Sequence, residues 1–241
     1  MKDGVFTGAA YAGRGLGIIF RPGIRRFVLV PLAVNVVIFS LLIWLGVSQF
    51  EVLMDRLLPD TGWLSYVRWL LWPLFAVALV VLVLYTFTLV ANLIAAPFNS
   101  VLAERVEHLI TGSPPGGGFD SVWQEIGPAL GSELRKLAYF LGRALPLLVL
   151  FLIPGVNLLA PVLWFLFNAW FLAIEYADYP MGNHGMGFRE QRARLKIARL
   201  PALGFGAAVT LVMMVPILNF LAMPAAVAGA TAWWCERLEP S

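Results

Sequence analysis

The chain has 241 residues, of which 60% are hydrophobic and 13% charged, and its mean hydropathy is +0.82. Soluble domains carry about 25% charged residues, so this composition excludes an ordinary soluble protein and indicates an integral membrane protein. The single cysteine, Cys235, excludes an internal disulfide and any Cys-based metal cluster. The net charge of +3 is small, so the distribution of the charges is more informative than their total.

The N-terminal segment, residues 1–20, is rich in small residues and predicts an interfacial or cytoplasmic helix. Within it, Gly13-x-x-x-Gly17 is a weak version of the pattern that lets helices pack closely. Charged residues interrupt the apolar stretch that a signal peptide would need. We therefore expect this segment to belong to the fold.

A candidate anion site follows at Gly23, Ile24, Arg25 and Arg26. Pro22 and Gly23 break the chain just before a helix begins, and the two arginines bring positive charge. Backbone N–H groups at a helix start are unpaired, and the helix dipole there favours negative charge. Glycine lets the backbone approach a ligand closely, and arginine offers a planar, permanently charged group suited to oxyanions. This segment is thus a candidate pocket for a tetrahedral dianion such as sulfate. The alternative is that the arginines only anchor a membrane helix.

Four charge-free runs predict an all-α membrane protein with a single membrane domain over residues 1–241. They are Phe27–Phe50, Trp69–Ala103, Ala144–Ile174 and Leu200–Cys235. A helix needs roughly 20 apolar residues to cross a hydrocarbon core of about 30 Å. The first two runs reach that length without interruption and predict two long transmembrane helices over 28–49 and 69–95.

The segment after the second long helix carries a second group of candidate residues. Pro97 is expected to kink or end the helix, and Asn99 or Ser100 can cap a new one. Glu104, Arg105 and Glu107 then follow near the membrane edge, where ionisable groups mark pathways or internal pairs. These residues are candidates for a pathway or a gate, and the alternative is the solvated face of a cytoplasmic helix.

The last two runs, 144–174 and 200–235, are expected to form helical hairpins that only partly penetrate the membrane. Proline and asparagine interrupt both runs, at Pro154, Asn157 and Pro161 and at Pro216, Asn219 and Pro224. Of the two arms of the second hairpin, Gly204–Val215 covers about 18 Å and Phe220–Trp234 about 22 Å of helix, which is short for a bilayer. Six spanning helices, of which two pairs are short and kinked, are the alternative. Asn157 and Asn219, at the proposed tips, are candidates for lining a pore or for capping their own turns.

The remaining segments, 97–143 and 175–199, predict helices on the cytoplasmic side. Of the 17 Lys and Arg residues, only Arg56 and Arg68 lie between the two long helices. The positive-inside rule therefore places both termini and these segments in the cytoplasm. In the second segment, basic residues recur at spacings of 3, 4 and 3 and predict one basic helical face of the kind that lies on anionic lipid. These residues are Arg189, Arg192, Lys196 and Arg199.

Three stretches together resemble the bacterial CysZ sulfate permeases of the inner membrane. They are "AAPFNSVLAERVE" (Ala95–Glu107), "EYADYPMGNHG" (Glu175–Gly185) and "PGIRRF" (Pro22–Phe27). The resemblance covers essentially the whole chain. It implies sulfate uptake for cysteine biosynthesis by two long transmembrane helices and two partly penetrating hairpins, in a homo-oligomer that is a dimer or a multiple of dimers. The family's sulfate-binding motif, of the Gly-Leu-Arg type, falls on Gly23, Ile24 and Arg25, with Arg26 following.

Other functions remain open beside sulfate transport. The chain is expected to have no enzymatic activity, no cofactor, no metal and no nucleic-acid partner, because its sequence contains no catalytic constellation and no phosphate-binding glycine-rich loop. A transporter of another oxyanion, such as sulfite, thiosulfate or molybdate, is one alternative. A non-transporting membrane scaffold or partner subunit is the other.

Overall fold

All regular structure is helical in the residues that the computed structural model describes, which are 4–57, 64–112 and 119–238. The α-helices are α1 Val5–Ile18, α2 Arg26–Leu57, α3 Leu64–Thr111, α4 Phe119–Leu150, α5 Ala160–Asn183, α6 Phe188–Ile197, α7 Arg199–Met213 and α8 Pro216–Trp233. A short 3-10 turn, Val156–Leu158, precedes α5, and a π-helical turn, Trp234–Leu238, follows α8.

Several helical segments are long and apolar enough to cross a membrane, judged by length and composition. Within the described residues they are Arg26–Arg56, Ala160–Asn183 and Leu218–Leu238. The bent pair of α6 and α7 is a fourth candidate if it counts as one span. The prediction of an all-α membrane protein is thereby confirmed.

The chain divides into two compact units, although the sequence predicts one membrane domain. The larger unit contains the residues up to Val28 and those from Pro97 onward, and the smaller unit contains Leu29–Ala96. All the candidate site residues from the sequence belong to the larger unit. That residues 1–241 form a single domain in the membrane stays a prediction.

In the larger unit, α1 packs closely against both α7 and α8. The contact depends on glycine, because a Cβ at Gly8 would overlap the carbonyl of Pro201 and one at Gly15 would overlap the carbonyl of Ala225. Gly13 and Gly17 have open space where a Cβ would lie, so the packing pattern predicted from them is wrong. The glycines of α1 that contact its neighbours are Gly8 and Gly15. Which face of α1 turns toward α7 and α8 decides this, and the sequence alone does not show it.

In the smaller unit, aromatic side chains join α2 to α3. The ring of Phe50 stacks on that of Phe75 at 3.8 Å and meets that of Trp72 edge-on at 5.0 Å. Many other apolar side chains are exposed, among them Trp44 and Trp69. Such a surface suits contact with lipid rather than with water.

The helix α3 continues through Pro97 to Thr111, which corrects the prediction that Asn99 or Ser100 caps a new helix. Both residues lie inside α3. The hydroxyl of Ser100 donates to the side-chain oxygen of Asn183 at 2.6 Å, and the Asn183 amide donates back to the Ser100 carbonyl at 3.0 Å. Pro97 therefore does not end the helix, as the sequence also allowed.

The second arm of the second predicted hairpin is longer than the sequence suggested. The helix α5 has 24 residues, and α8 has 18 before the π-helical turn extends it to Leu238. Pro216 is the first residue of α8 and does not delay it, because proline at that position lacks only an N–H that would be unpaired. The prediction of a short second arm from Phe220 to Trp234 is therefore wrong in length. The depth to which either hairpin penetrates stays a prediction.

The predicted basic helical face is broken by a bend. The helix α6 ends at Ile197, α7 begins at Arg199, and their axes differ in direction by 103°. Arg199 therefore does not continue the face of α6. Arg192 lies over the ring of Tyr139 at 5.0 Å, so it packs against an aromatic side chain.

Candidate functional site

The candidate anion site is a tight turn between α1 and α2. The N–H groups of Ile24 and Arg25 both donate to the carbonyl of Arg21, at 3.1 and 3.2 Å. Gly23 has a φ of +88°, in the left-handed region that glycine adopts without strain. A Cβ at Gly23 would meet no atom within 4 Å, so the space beside this backbone is open.

Ile24 fixes this turn to the protein core. Its side chain is only 4% exposed and belongs to the main hydrophobic cluster, together with Phe27 and Val28. Gly23 and Arg25 on either side of it are exposed. The buried isoleucine therefore holds the turn in place, while its neighbours remain accessible to a ligand.

The turn carries positive charge that no carboxylate of the described residues neutralises. Within the described part of the chain, Arg21, Arg25 and Arg26 form no ion pair, and the Arg26 guanidinium lies over the Phe27 ring at 5.0 Å. The first turn of α2 contains no acidic residue. By contrast, Arg14 forms an ion pair with Glu236 at 2.7 Å. Sequence reasoning missed Arg21, although it lies two residues before Gly23 and its carbonyl closes the turn.

The available backbone donors differ from those that the motif suggested. Because the N–H groups of Ile24 and Arg25 are used inside the turn, they are not free for an anion. Among the backbone hydrogen bonds of the described residues, the N–H groups of Gly23 and Arg26 have no acceptor. Two amides and three guanidinium groups can therefore donate to an oxyanion here.

The second candidate group lies on the C-terminal part of α3. Asn99 is buried, with 4% of its surface exposed. Glu107 contacts the Nε2 atom of His184, at the end of α5, at 2.9 Å. The Nε atom of Arg105 is buried and has no hydrogen-bond partner among the described atoms, and Glu104 is half-buried. The charged residues thus lie on one helix, and Glu107 pairs with α5 rather than with Arg105.

The two asparagines of the predicted hairpin tips occupy different positions. Asn157 lies in the 3-10 turn before α5, and its N–H donates to the carbonyl of Ile153 at 3.0 Å. Asn219 lies in the first turn of α8, and its N–H donates to the carbonyl of Val215 at 2.9 Å. Both side chains are exposed. Whether they line a pore stays a prediction.

A buried polar network was missed from the sequence. Lys136 on α4 is 3% exposed, and its ammonium donates to Asp178 on α5 at 2.7 Å. The amide of Gln191 on α6 donates to the other oxygen of the same carboxylate. The sequence did contain a sign of this network, because Lys136 and Asp178 flank an apolar run and charged side chains need partners when they are buried. Asp178 therefore ties three helices together, whereas His184 contacts Glu107 separately.

The apolar helices and the all-helical fold of the described residues define an integral membrane protein. The chain belongs to the family described as "Sulfate transporter CysZ/Etoposide-induced protein 2.4", whose model matches residues 11–224. This membership confirms the resemblance that the three sequence stretches indicated. It also agrees with the prediction of a transport protein rather than an enzyme.

Individual relatives are similar over nearly the whole chain. A sulfate transporter CysZ of Pseudomonas aeruginosa is 47% identical over 236 residues, which is 96% of this chain and 95% of that protein. Proteins of the same name from Pseudomonas fluorescens and Pseudomonas syringae pv. tomato are 46% and 45% identical over 242 residues. These alignments cover 98% of this chain and 96% and 95% of those two proteins.

Proposed function

We propose that this protein moves sulfate across the bacterial inner membrane into the cytoplasm, where it supplies cysteine biosynthesis. The observation that carries the proposal is the exposed turn at Gly23–Arg26, whose arginines form no ion pair among the described residues. Relatives named as sulfate transporters, at 45 to 47% identity, support the choice of ion. The lipid bilayer is the other partner, since the chain is a membrane protein.

Binding at this turn follows from the desolvation of a dianion. Sulfate that leaves water loses a large hydration energy, so a purely apolar path is excluded. The guanidinium groups of Arg25 and Arg26 and the N–H groups of Gly23 and Arg26 would replace part of the lost hydration. Arg21 adds a third charge beside them. Conduction also requires the ion to leave, so binding is expected to be moderate.

The buried side chain of Ile24 gives the site its rigidity. It belongs to the hydrophobic core and holds the turn, so the donors on either side need little reordering when sulfate arrives. In the proposed role, Ile24 contributes position rather than a contact through its side chain. Replacing the leucine of the family's motif with isoleucine keeps this apolar anchor.

The residues of α3 and of the two turns are proposed as parts of the path. Glu104, Arg105 and Glu107 are ionisable groups near a membrane edge, and the contact of Glu107 with His184 gives this region a pairing that can open or close. Asn99 is buried beside them on α3. Asn157 and Asn219 are exposed amides at the starts of α5 and α8, and they are proposed to face the ion.

The assembly and the orientation are part of the same proposal. A homo-oligomer, as a dimer or a multiple of dimers, would cover some of the exposed apolar surface of the smaller unit. Positive-inside counting places both termini in the cytoplasm. The membrane potential, negative inside, opposes entry of an anion by about 2.3 kcal/mol per charge per 100 mV. Accumulation of sulfate therefore needs coupling or rapid consumption of the ion.

The test is uptake of labelled sulfate into liposomes that contain only this protein. We expect uptake by the parent and at least a tenfold loss in the Arg25→Ala/Arg26→Ala variant, because each charge-assisted hydrogen bond contributes about 1.5–3 kcal/mol. The control is Arg189→Ala/Lys196→Ala, which removes the same charge from exposed positions on α6. Equal uptake by all three proteins would contradict the site, and no uptake by folded parent protein would favour a scaffold or a partner subunit.

Selectivity is tested in the same liposomes. Unlabelled sulfite, thiosulfate and molybdate are added in turn as competitors of labelled sulfate. We expect unlabelled sulfate to compete best, because the relatives at 45 to 47% identity are named sulfate transporters. Stronger competition by one of the other oxyanions would make that ion the preferred substrate.

A further inference from the structure

A second group of arginines lines a cavity at the bend between α6 and α7, away from the turn at Gly23. The cavity has a volume of about 270 Å³, and three of its lining residues are Arg194, Arg199 and Arg237. They come from α6, from the first position of α7 and from the π-helical turn after α8. Three separate elements therefore bring a positive charge to one concave space.

Two of these arginines, Arg194 and Arg199, form no ion pair with the acidic residues that the structure describes. Glu190 precedes Arg194 by four residues on α6, yet no ion pair forms between them, and Arg199 has none within the described residues. Glu236 is used elsewhere, since it accepts from Arg14 at 2.7 Å and from the Tyr11 hydroxyl at 3.0 Å.

The backbone adds to the positive potential. The helix α7 begins at Arg199 with no acidic residue in its first turn and no side-chain cap on its N-terminus. Its positive dipole end therefore lies at the arginine-lined cavity, where it favours an anion. Arg194 and Arg199 can donate forked hydrogen bonds to the oxygens of a phosphate-like group.

Apolar residues at the same place indicate which molecule carries the phosphate. Ile197 and Leu200 line the cavity, and they are 83% and 50% exposed. A free inorganic anion has no use for such side chains, whereas the acyl chains of a phospholipid cover them. We propose that this cavity binds the phosphate of an anionic phospholipid headgroup, with Arg194 and Arg199 as the main donors and Ile197 and Leu200 against the acyl chains.

Titration of the purified full-length protein in a neutral detergent tests this proposal. Dioctanoyl phosphatidylglycerol is the probe, dioctanoyl phosphatidylcholine is the zwitterionic comparison, and native mass spectrometry counts the bound lipid. The parent is compared with Arg194→Gln/Arg199→Gln and with Arg189→Gln/Lys196→Gln. The last variant removes the same charge from exposed positions on α6 that do not line the cavity.

We expect the cavity variant to bind phosphatidylglycerol at least about tenfold more weakly, since it loses two sets of charge-assisted hydrogen bonds. The control variant should change by less than about twofold, because Arg189 and Lys196 do not line the cavity and act on its contents only through solvent. The parent should bind phosphatidylcholine more weakly than phosphatidylglycerol. Equal losses in the two variants, or no loss in the cavity variant, would overturn the proposal.

Inorganic phosphate distinguishes the two possible sources of the anion. If the cavity takes a lipid phosphate, millimolar phosphate should compete only weakly with phosphatidylglycerol on the parent. Tight binding of phosphate that excludes the lipid would overturn the lipid assignment in favour of a free anion. Thermal unfolding of each variant shows that it is folded, and the single variants Arg194→Gln and Arg199→Gln replace the double variant if that one is unstable.

Discussion

At the scale of single residues, Gly23 is the position of the candidate site whose identity the backbone restricts most. Its φ of +88° lies where an L-residue is strained by roughly 1–2 kcal/mol. A side chain there would also fill the open space beside the exposed arginines. The restriction therefore acts on both the shape of the turn and access to it.

We predict that Gly23→Ala weakens sulfate binding and uptake by about tenfold, because a strain of about 1–2 kcal/mol shifts the turn away from its binding geometry. Equilibrium binding of labelled sulfate and uptake into liposomes measure the effect. Gly17→Ala is the matched control, since Gly17 lies in α1 with open space around its Cβ position. Unchanged binding in Gly23→Ala would show that this backbone conformation is not needed.

At the scale of the elements, close backbone contacts and one buried polar network determine how the helices of the larger unit pack. A Cβ at Gly206 would overlap the backbone carbonyl of Ala169, so α7 approaches α5 as closely as α1 approaches its neighbours. Lys136, Asp178 and Gln191 join α4, α5 and α6 through one carboxylate. A change at either kind of contact should therefore affect stability rather than sulfate recognition.

We predict that Gly15→Ala destabilises the protein by about 1–3 kcal/mol, the usual effect of overpacking a tight contact. Its Cβ would overlap the carbonyl of Ala225, which belongs to a helix backbone and cannot move alone. Thermal unfolding in detergent measures the change. Gly13→Ala, two residues earlier on an open face of α1, should be neutral or stabilising by about 0.5–1 kcal/mol. Equal stability of the two variants would contradict the packing described for α1.

At the scale of the whole molecule, the distribution of basic residues predicts the orientation in the membrane. Only two of the 17 Lys and Arg residues lie between the two long helices. Since basic segments are retained in the cytoplasm, the segment between these helices should lie on the opposite side from the termini. The residues of the candidate anion turn would then lie on the cytoplasmic side.

We predict that, in a Cys235→Ser background, a membrane-impermeant thiol reagent labels Thr61→Cys but not Lys2→Cys in spheroplasts with an intact inner membrane. Position 61 lies in the segment between the long helices, and position 2 lies at the N-terminus. Permeabilised cells serve as the control, in which both cysteines should react. Labelling of Lys2→Cys in intact spheroplasts would reverse the predicted orientation.

Much of the candidate site could be predicted because it is local in sequence. Gly23, Ile24, Arg25 and Arg26 are consecutive, and their turn is closed by hydrogen bonds to Arg21, only a few residues away. The finer details could not be predicted, because they depend on contacts. The sequence did not reveal that Ile24 is buried or that its N–H and that of Arg25 are already used.

By itself, the sequence determined the helical class, the two long apolar helices and the family, because hydrophobic length and local motifs are properties of the chain alone. Only the tertiary structure decided which glycines of α1 pack, where α6 bends into α7, and that Arg194, Arg199 and Arg237 line one cavity. The physical reason is that packing and electrostatic fields act between groups that are close in space, wherever they stand in the sequence. Arg199 and Arg237 are far apart along the chain, and only folding brings them to the same cavity.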